Sequence, residues 1–396
     1  MADWSFNPMA PEFVADPYPT YHRLRAEDPV HQSPLGFWVL TRYEDVVMSL
    51  RDPRFGKEAI MSLVAARYGG LPTGVGLSML DRDPPDHTRL RSLVNKAFTP
   101  RVVEVLRPRV QQIVDELIDH VRDKAGMDLI EDFAYPLPVI VICEMLGVPV
   151  EDRDRFREWG LAIARGLDGI MLPPESDVIS RSMAARSALA GYFRELIAER
   201  RTRPRPDLLS GLIAAEEAGD KLTEDELLAT CILLLVAGHE TTVNLIGNGT
   251  LALLRHPDQL ERLRRDPGLI TSAVEELLRY DGPVQRTARV PSEDIAIGDR
   301  VIPKGELVMP FIGAADRDPA QFPDPDRLDI GRADNRHIAF GWGIHFCLGA
   351  PLARVEGQIA ITTLVTRLPA LALGTEAPQF RQSLTLRGLT SLPVAF

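Results

Sequence analysis

Cys347 closes a run that suits the binding of a soft metal: Phe340-Gly-Trp-Gly-Ile-His-Phe-Cys-Leu-Gly-Ala. Gly341 and Gly343 permit backbone conformations closed to other residues and let a flat ligand approach the chain. Cys347 stands just before a helical pattern. Backbone N–H groups of Leu348 and Gly349 are therefore expected to face the sulfur, stabilise a thiolate and lower its pKa. An anionic sulfur in such a loop is a good ligand for iron. Taken alone, a cysteine in a turn is more simply a core residue. That plainer reading holds for Cys143 and Cys231, which lie in apolar helical stretches.

A second group is Ala237-Gly-His-Glu-Thr-Thr242. Glu240 in an otherwise apolar helix costs free energy unless it is paired or hydrated. Thr241 can bond back to the carbonyl of Ala237 and loosen the turn. An acid beside a hydroxyl in a widened turn could admit oxygen and protons; the plain alternative is a kinked core helix. His87 and Arg91, four apart, share a helix face, and Arg grips carboxylates through paired N–H bonds. Glu276 and Arg279, three apart, read as an ion pair on one helix face.

The spacing Phe-Gly-x-Gly-x-His-x-Cys-x-Gly is the signature of the cytochrome P450 family. The chain resembles the soluble bacterial members over roughly residues 10–396. The resemblance implies a fold that is mainly α with minor β, in a single domain spanning 1–396. A long central helix would lie over a haem, with small β-sheets at one side. It implies haem b with Cys347 as the metal ligand, Phe340 packed near the sulfur, and Gly349 and Ala237 at the cofactor. His345, His87, Arg91 and Arg289 would hold the propionates, Arg289 being preferred over its neighbour Arg286. Glu240 and Thr241 would be the catalytic pair that brings protons to dioxygen. Glu276 and Arg279 would lock the fold with an Arg from the Pro-rich segment, for which Arg327 is the candidate.

The implied function is a monooxygenase that places one oxygen atom of O2 into a lipophilic small molecule, by hydroxylation or epoxidation. The chain has no flavin or nicotinamide fingerprint and no spare cysteines for a cluster. Electrons would come from a small ferredoxin and its NAD(P)H-dependent reductase, docking on Arg89, Lys96, Arg101, Arg107 and Arg109. Three other readings compete: a peroxide-driven peroxygenase, a non-oxidative haem-thiolate isomerase, and a non-catalytic haem or ligand sensor. The Glu240-Thr241 pair argues against all three.

The elements that must position these residues follow from periodicity. Apolar spacing predicts helices over 17–27, from 87, over 101–122, 137–147, 151–166, 178–201, 223–255, 257–265, 267–281 and about 348–367. Thr223 and Glu226 form a capping box at the start of the longest. Short strands are expected near 30 and 37–41, with a hairpin from 294. Residues 57–80 read as a mobile loop, and 315–346 as irregular. Specificity is expected in about 60–80, 165–180, Leu233 to Val236, 284–290 and Ser383 to Leu392. Their small apolar side chains suit a terpenoid, steroid or macrolide.

The 396 residues carry a net charge of -11, with a pI near 5.3 and no long Lys/Arg run, which argues against nucleic-acid binding as the main role. Three cysteines give no disulfide framework and fit a reducing compartment. The N-terminus has no signal-peptide pattern, so a cytoplasmic protein with no membrane anchor is expected.

Overall fold

The computed structural model describes residues 6–68, 76–172, 176–217, 222–374 and 378–396. At its centre runs the helix Glu224–Arg255. Thr223 starts it by the expected reciprocal cap: its hydroxyl accepts from the Glu226 N–H, and the Glu226 carboxylate accepts from the Thr223 N–H. Apolar residues surround most of this helix because other elements cover nearly every side, and 78% of its most apolar window is buried. Its length and hydropathy would suit a membrane, yet in this fold it is the core.

The helices Pro100–Val121, Pro136–Leu146, Arg153–Gly166 and Val178–Thr202 build the main core around it. On another side lies the helix Ala350–Arg367. Its Gly357 leaves room for Leu245, and Gly249 leaves room for Leu277 and Ile361. These small residues let the backbones approach closely. Cys143 and Cys231 are both fully buried, as expected of core cysteines, and burial pushes both thiols up to about 12.

The sheets are small. Val30–Ser33 pairs antiparallel with Phe37–Leu40, which pairs parallel with Val308–Pro310. The hairpin Ile295–Ile297 and Arg300–Ile302 forms where it was expected. A third set joins Gly126–Asp128, Pro393–Ala395 and Ala372–Leu373.

Some sequence expectations are corrected. Much of the loop expected over 57–80 is a helix, Glu58–Tyr68, while 69–75 lies outside the described residues. Two further helices, Tyr43–Arg51 and Leu208–Glu217, were not anticipated. The third member of the Glu276–Arg279 lock is Arg332, not Arg327. Arg332 Nε lies 3.1 Å from Glu276 Oε2, whereas Arg327 is exposed and offers only its backbone carbonyl to Arg279. The Glu276 and Arg279 side chains are wholly buried, so pairing is the condition for their being charged there.

Candidate active site

The cysteine loop is shaped by its glycines. Gly341 and Gly343 both adopt φ of 71°, a region that penalises any Cβ. A Cβ on Gly343 would also strike the Leu50 carbonyl. The Cys347 N–H donates to the Phe340 carbonyl at 2.9 Å, closing the loop. Arg91 steadies it from outside, donating to the carbonyls of Ile344 (2.7 Å) and Phe346 (2.6 Å). Arg354 lies over the Phe340 ring at 4.6 Å and is itself held by Glu275 at 2.7 Å.

The Cys347 sulfur accepts from the N–H groups of Gly349 and Ala350, rather than from Leu348 and Gly349 as the sequence suggested. The net effect on the thiol also differs from expectation. Burial raises its pKa above the ordinary value, and the two amides with Arg91 and Arg354 only partly offset this. A cation bonded to the sulfur would complete the stabilisation of a thiolate.

The long helix meets this loop. Thr242 faces Glu356, Leu245 faces Gly357 and Gly249 faces Ile361, so the two helices run in step. Stepping back along both by the same offset brings the turns from Leu233 to Thr241 to the Cys347 end of the second helix. There the buried helix opens: Ala237 is exposed, and Leu233, Val236 and Thr241 are half-exposed, although the flanking turns are covered. These side chains are left uncovered by the protein. Thr241 Oγ1 donates to the Ala237 carbonyl at 3.0 Å, as expected. The helix runs continuously through this turn.

Glu240 is buried, with Arg381 bonded to one of its oxygens and His239 close to the other. Arg381 Nη1 lies 2.7 Å from Oε2, and His239 Nε2 lies 3.3 Å from Oε1. Burial would raise this carboxyl, but His239 and Arg381 outweigh it and hold the pKa below the ordinary value. His239 anchors its other ring nitrogen on the Leu235 carbonyl at 2.7 Å. His239 was legible inside the Ala237–Thr242 motif. Arg381 was not, because 141 residues separate it from Glu240 and it carries no local pattern.

His87, His345 and Arg289 come together at one edge. The two imidazoles touch at 4.4 Å between centroids. Both ring nitrogens of His87 and Nε2 of His345 are buried without a hydrogen-bond partner. Arg289 is buried, and among the described residues its side chain bonds only to Ala288 and Thr287 beside it. Burial pushes Arg289 down to about 10 and, with the neighbouring positive charges, His345 down to about 2. Arg286 is committed elsewhere, to buried Asp168 at 3.1 Å. Orphaned donors at this edge, an open helix face and a loop sulfur fit a flat metal-bearing group with carboxylate arms.

Three of the five basic residues expected to dock a ferredoxin are already ion-paired. Arg89 pairs with Asp86 and Glu226, Arg107 with Glu104, and Arg109 with Glu144. Lys96 and Arg101 remain exposed and have no ion-pair partner among the described residues.

Residues 32–267 and 268–391 match the family model described as Cytochrome P450. The chain is 48% identical to Cytochrome P450 107B1 of Saccharopolyspora erythraea, over 96% of this chain and 95% of that protein. It is 46% identical to Vitamin D(3) 25-hydroxylase of Pseudonocardia autotrophica, over 96% of this chain and 94% of that one. Among solved structures it is similar to myxobacterial cytochrome P450 CYP267B1 in complex with myristic acid. There the TM-score is 0.92, the identity 47%, and the coverage 98% of each chain.

Proposed function

The chain belongs to the cytochrome P450 family, as a monooxygenase; from that premise we propose that it is one haem-thiolate domain oxidising a lipophilic small molecule at Cys347. Hydroxylation and epoxidation are both open to the same site. The observation that carries the proposal is the buried sulfur of Cys347, faced by two amides in a glycine-shaped loop, together with the uncovered turns from Leu233 to Thr241 on the long helix. Bound there, a haem iron would supply dioxygen activation and oxygen-atom transfer, with thiolate donation favouring O–O cleavage.

The chain's own residues do the rest. Phe340 and Gly349 frame the sulfur, and Ala237 gives the cofactor face its room. His87, His345, Arg289 and Arg91 bind the carboxylate arms, with Arg91 also bracing the loop. Thr241 holds a proton at Oγ1. Glu240 passes protons towards it from the Arg381 side, where the carboxylate stays ionised and able to accept them. The apolar side chains of Leu233 and Val236 exclude water and favour an apolar substrate. The names of the relatives, one a vitamin D(3) hydroxylase and one a complex with myristic acid, support that substrate class. Electrons would come one at a time from a cytoplasmic ferredoxin and NAD(P)H-dependent reductase.

The test is spectroscopic. Dithionite-reduced protein exposed to carbon monoxide should show the strongly red-shifted Soret band of thiolate ligation, and Cys347→His should abolish it while retaining haem. A wild-type spectrum like that of a histidine-ligated haem would refute the proposal.

A further inference from the structure

We propose that Lys57 is an additional carboxylate-binding residue at the His87–His345–Arg289 edge, a propionate ligand acting jointly with Arg289; this rests on the haem reading above. The strand Phe55–Gly56 pairs antiparallel with Val290–Pro291, in the register Phe55 to Pro291 and Gly56 to Val290. Lys57 and Arg289 are the next residues beyond this short ladder, where the Lys57 N–H turns to the Asp83 carboxylate. The Arg289 charge acts on Lys57 there, and like charges placed so close repel.

Asp83 ties this pair to the histidines. Its carboxylate accepts from the N–H groups of Lys57 (2.9 Å) and Glu58 (3.0 Å), and its carbonyl accepts from the His87 N–H at 3.0 Å. His87 in turn touches His345. Lys57 is thus fixed by its backbone at the edge of the cationic cluster, with its ammonium left to other partners. Neither nearby acid takes it. Asp83 is engaged by amides, and Asp81 by the N–H and hydroxyl of Ser78. Among the described residues, no carboxylate forms an ion pair with Lys57, Arg289 or Arg91.

The cost of this crowding is visible at Lys57. Desolvation, with the Arg289 charge, pushes it down to about 7 against weaker pulls from Asp81 and Asp83. Asp83 and Asp81 act on this cluster only at a distance and ion-pair with none of its three cationic side chains, which leaves positive charge there for an anion. A ligand with two carboxylates supplies the missing charge, and Lys57 with Arg289 can grip one of them from two strands.

The experiment compares Lys57→Met, Lys57→Arg and wild-type holoenzyme, with Lys124→Met as an exposed control. Two quantities are read: the rate of haem transfer to excess apomyoglobin, and the ferric/ferrous midpoint potential. Lys57→Met should transfer haem about tenfold faster, in line with the loss of one charge-assisted hydrogen bond. Its potential should fall, because a positive charge beside the reduced centre is lost. Lys57→Arg should restore both, and Lys124→Met should change neither. Isolation of Lys57→Met without haem, alongside a haem-replete Lys57→Arg, counts as support. A Lys57→Met protein indistinguishable from wild type overturns the proposal. So does equal impairment of the Met and Arg variants, which would make the position steric. Should Lys57→Met fail to fold by circular dichroism, Lys57→Gln is read by the same criteria. Failure of the haem reading itself would appear earlier, in the carbon monoxide spectrum of the wild type.

Discussion

Buried acids beside the site are tuned in opposite directions by their partners. Glu240 has two cationic or proton-bearing neighbours and is kept ionised. Glu356 lies on the facing helix, with only the Thr242 hydroxyl to offset burial, and is pushed up to about 8; its Oε2 has no partner. Glu356 therefore sits in the fold as the neutral acid at neutral pH. Its folded pKa lies above the value of about 4.5 for a free Glu. Between those two values the folded chain holds a proton that the unfolded chain has released, so stability falls as pH rises through that window. Glu356→Gln keeps the shape and removes the titration. The variant should gain a few degrees in Tm over wild type at pH 8.5 and almost nothing at pH 4, below the window. Equal shifts at the two pH values would show that Glu356 does not titrate as described. The acid of the Ala237–Thr242 motif was readable from the sequence because an acid in an apolar run stands out. The condition of Glu356 was not, since only the packing of two helices desolvates it.

At the scale of elements, the connector after the helix Arg153–Gly166 is pinned by one carboxylate. Asp168 is fully buried and accepts from the N–H groups of Leu384 (3.1 Å) and Thr385 (2.9 Å), from the hydroxyls of Ser383 (3.0 Å) and Thr385 (2.7 Å), and from Arg286 and Arg165. The same C-terminal turn supplies Arg381 to Glu240. One short segment thus joins this connector to Glu240. Removing a partner from a buried pair leaves the other charge stranded, so Asp168→Ala should cost about 3–5 kcal/mol. Denaturant unfolding monitored by circular dichroism measures this, and a loss below about 1 kcal/mol would mean the pair behaves like a surface contact. The helices themselves were largely legible because their apolar spacing is strict, as in Pro100–Val121, where Val110, Ile113, Val114 and Ile118 form the buried stripe. The helix Glu58–Tyr68 escaped notice because its apolar residues do not gather on one face and a glycine pair follows it. Arg332 was missed in favour of Arg327 because both lie in one Pro- and Asp-rich segment, where only tertiary position decides which side chain turns inward.

Across the whole molecule, charge decides how an electron donor could find the site. The protein carries a net charge of -11, so an acidic ferredoxin is repelled at long range unless a local basic patch steers it. Composition alone counts every Arg near the cysteine loop as a candidate. The structure separates those whose charge is already answered from those whose charge is free to act at a distance. Arg89, Arg107 and Arg109 each face a carboxylate on their own or an adjacent helix, so their fields are largely cancelled. Lys96 and Arg101 flank the Thr99 cap of the helix Pro100–Val121, five and ten residues past Arg91, whose guanidinium braces the cysteine loop. Steering by exposed charges is screened beyond roughly 10 Å at 0.1 M salt. Reduction of the wild type by an acidic ferredoxin should therefore slow as salt is added. Reversing both charges, with Lys96→Glu and Arg101→Glu together, should slow reduction about tenfold at low ionic strength and flatten or invert the salt dependence, so that the two proteins converge at high salt. Stopped-flow reduction under carbon monoxide reads the rate directly. The companion reversal of Arg107 and Arg109 should have the smaller effect, because it removes charge that Glu104 and Glu144 already neutralise. The opposite ranking would place the docking surface further along that helix, away from the cysteine loop.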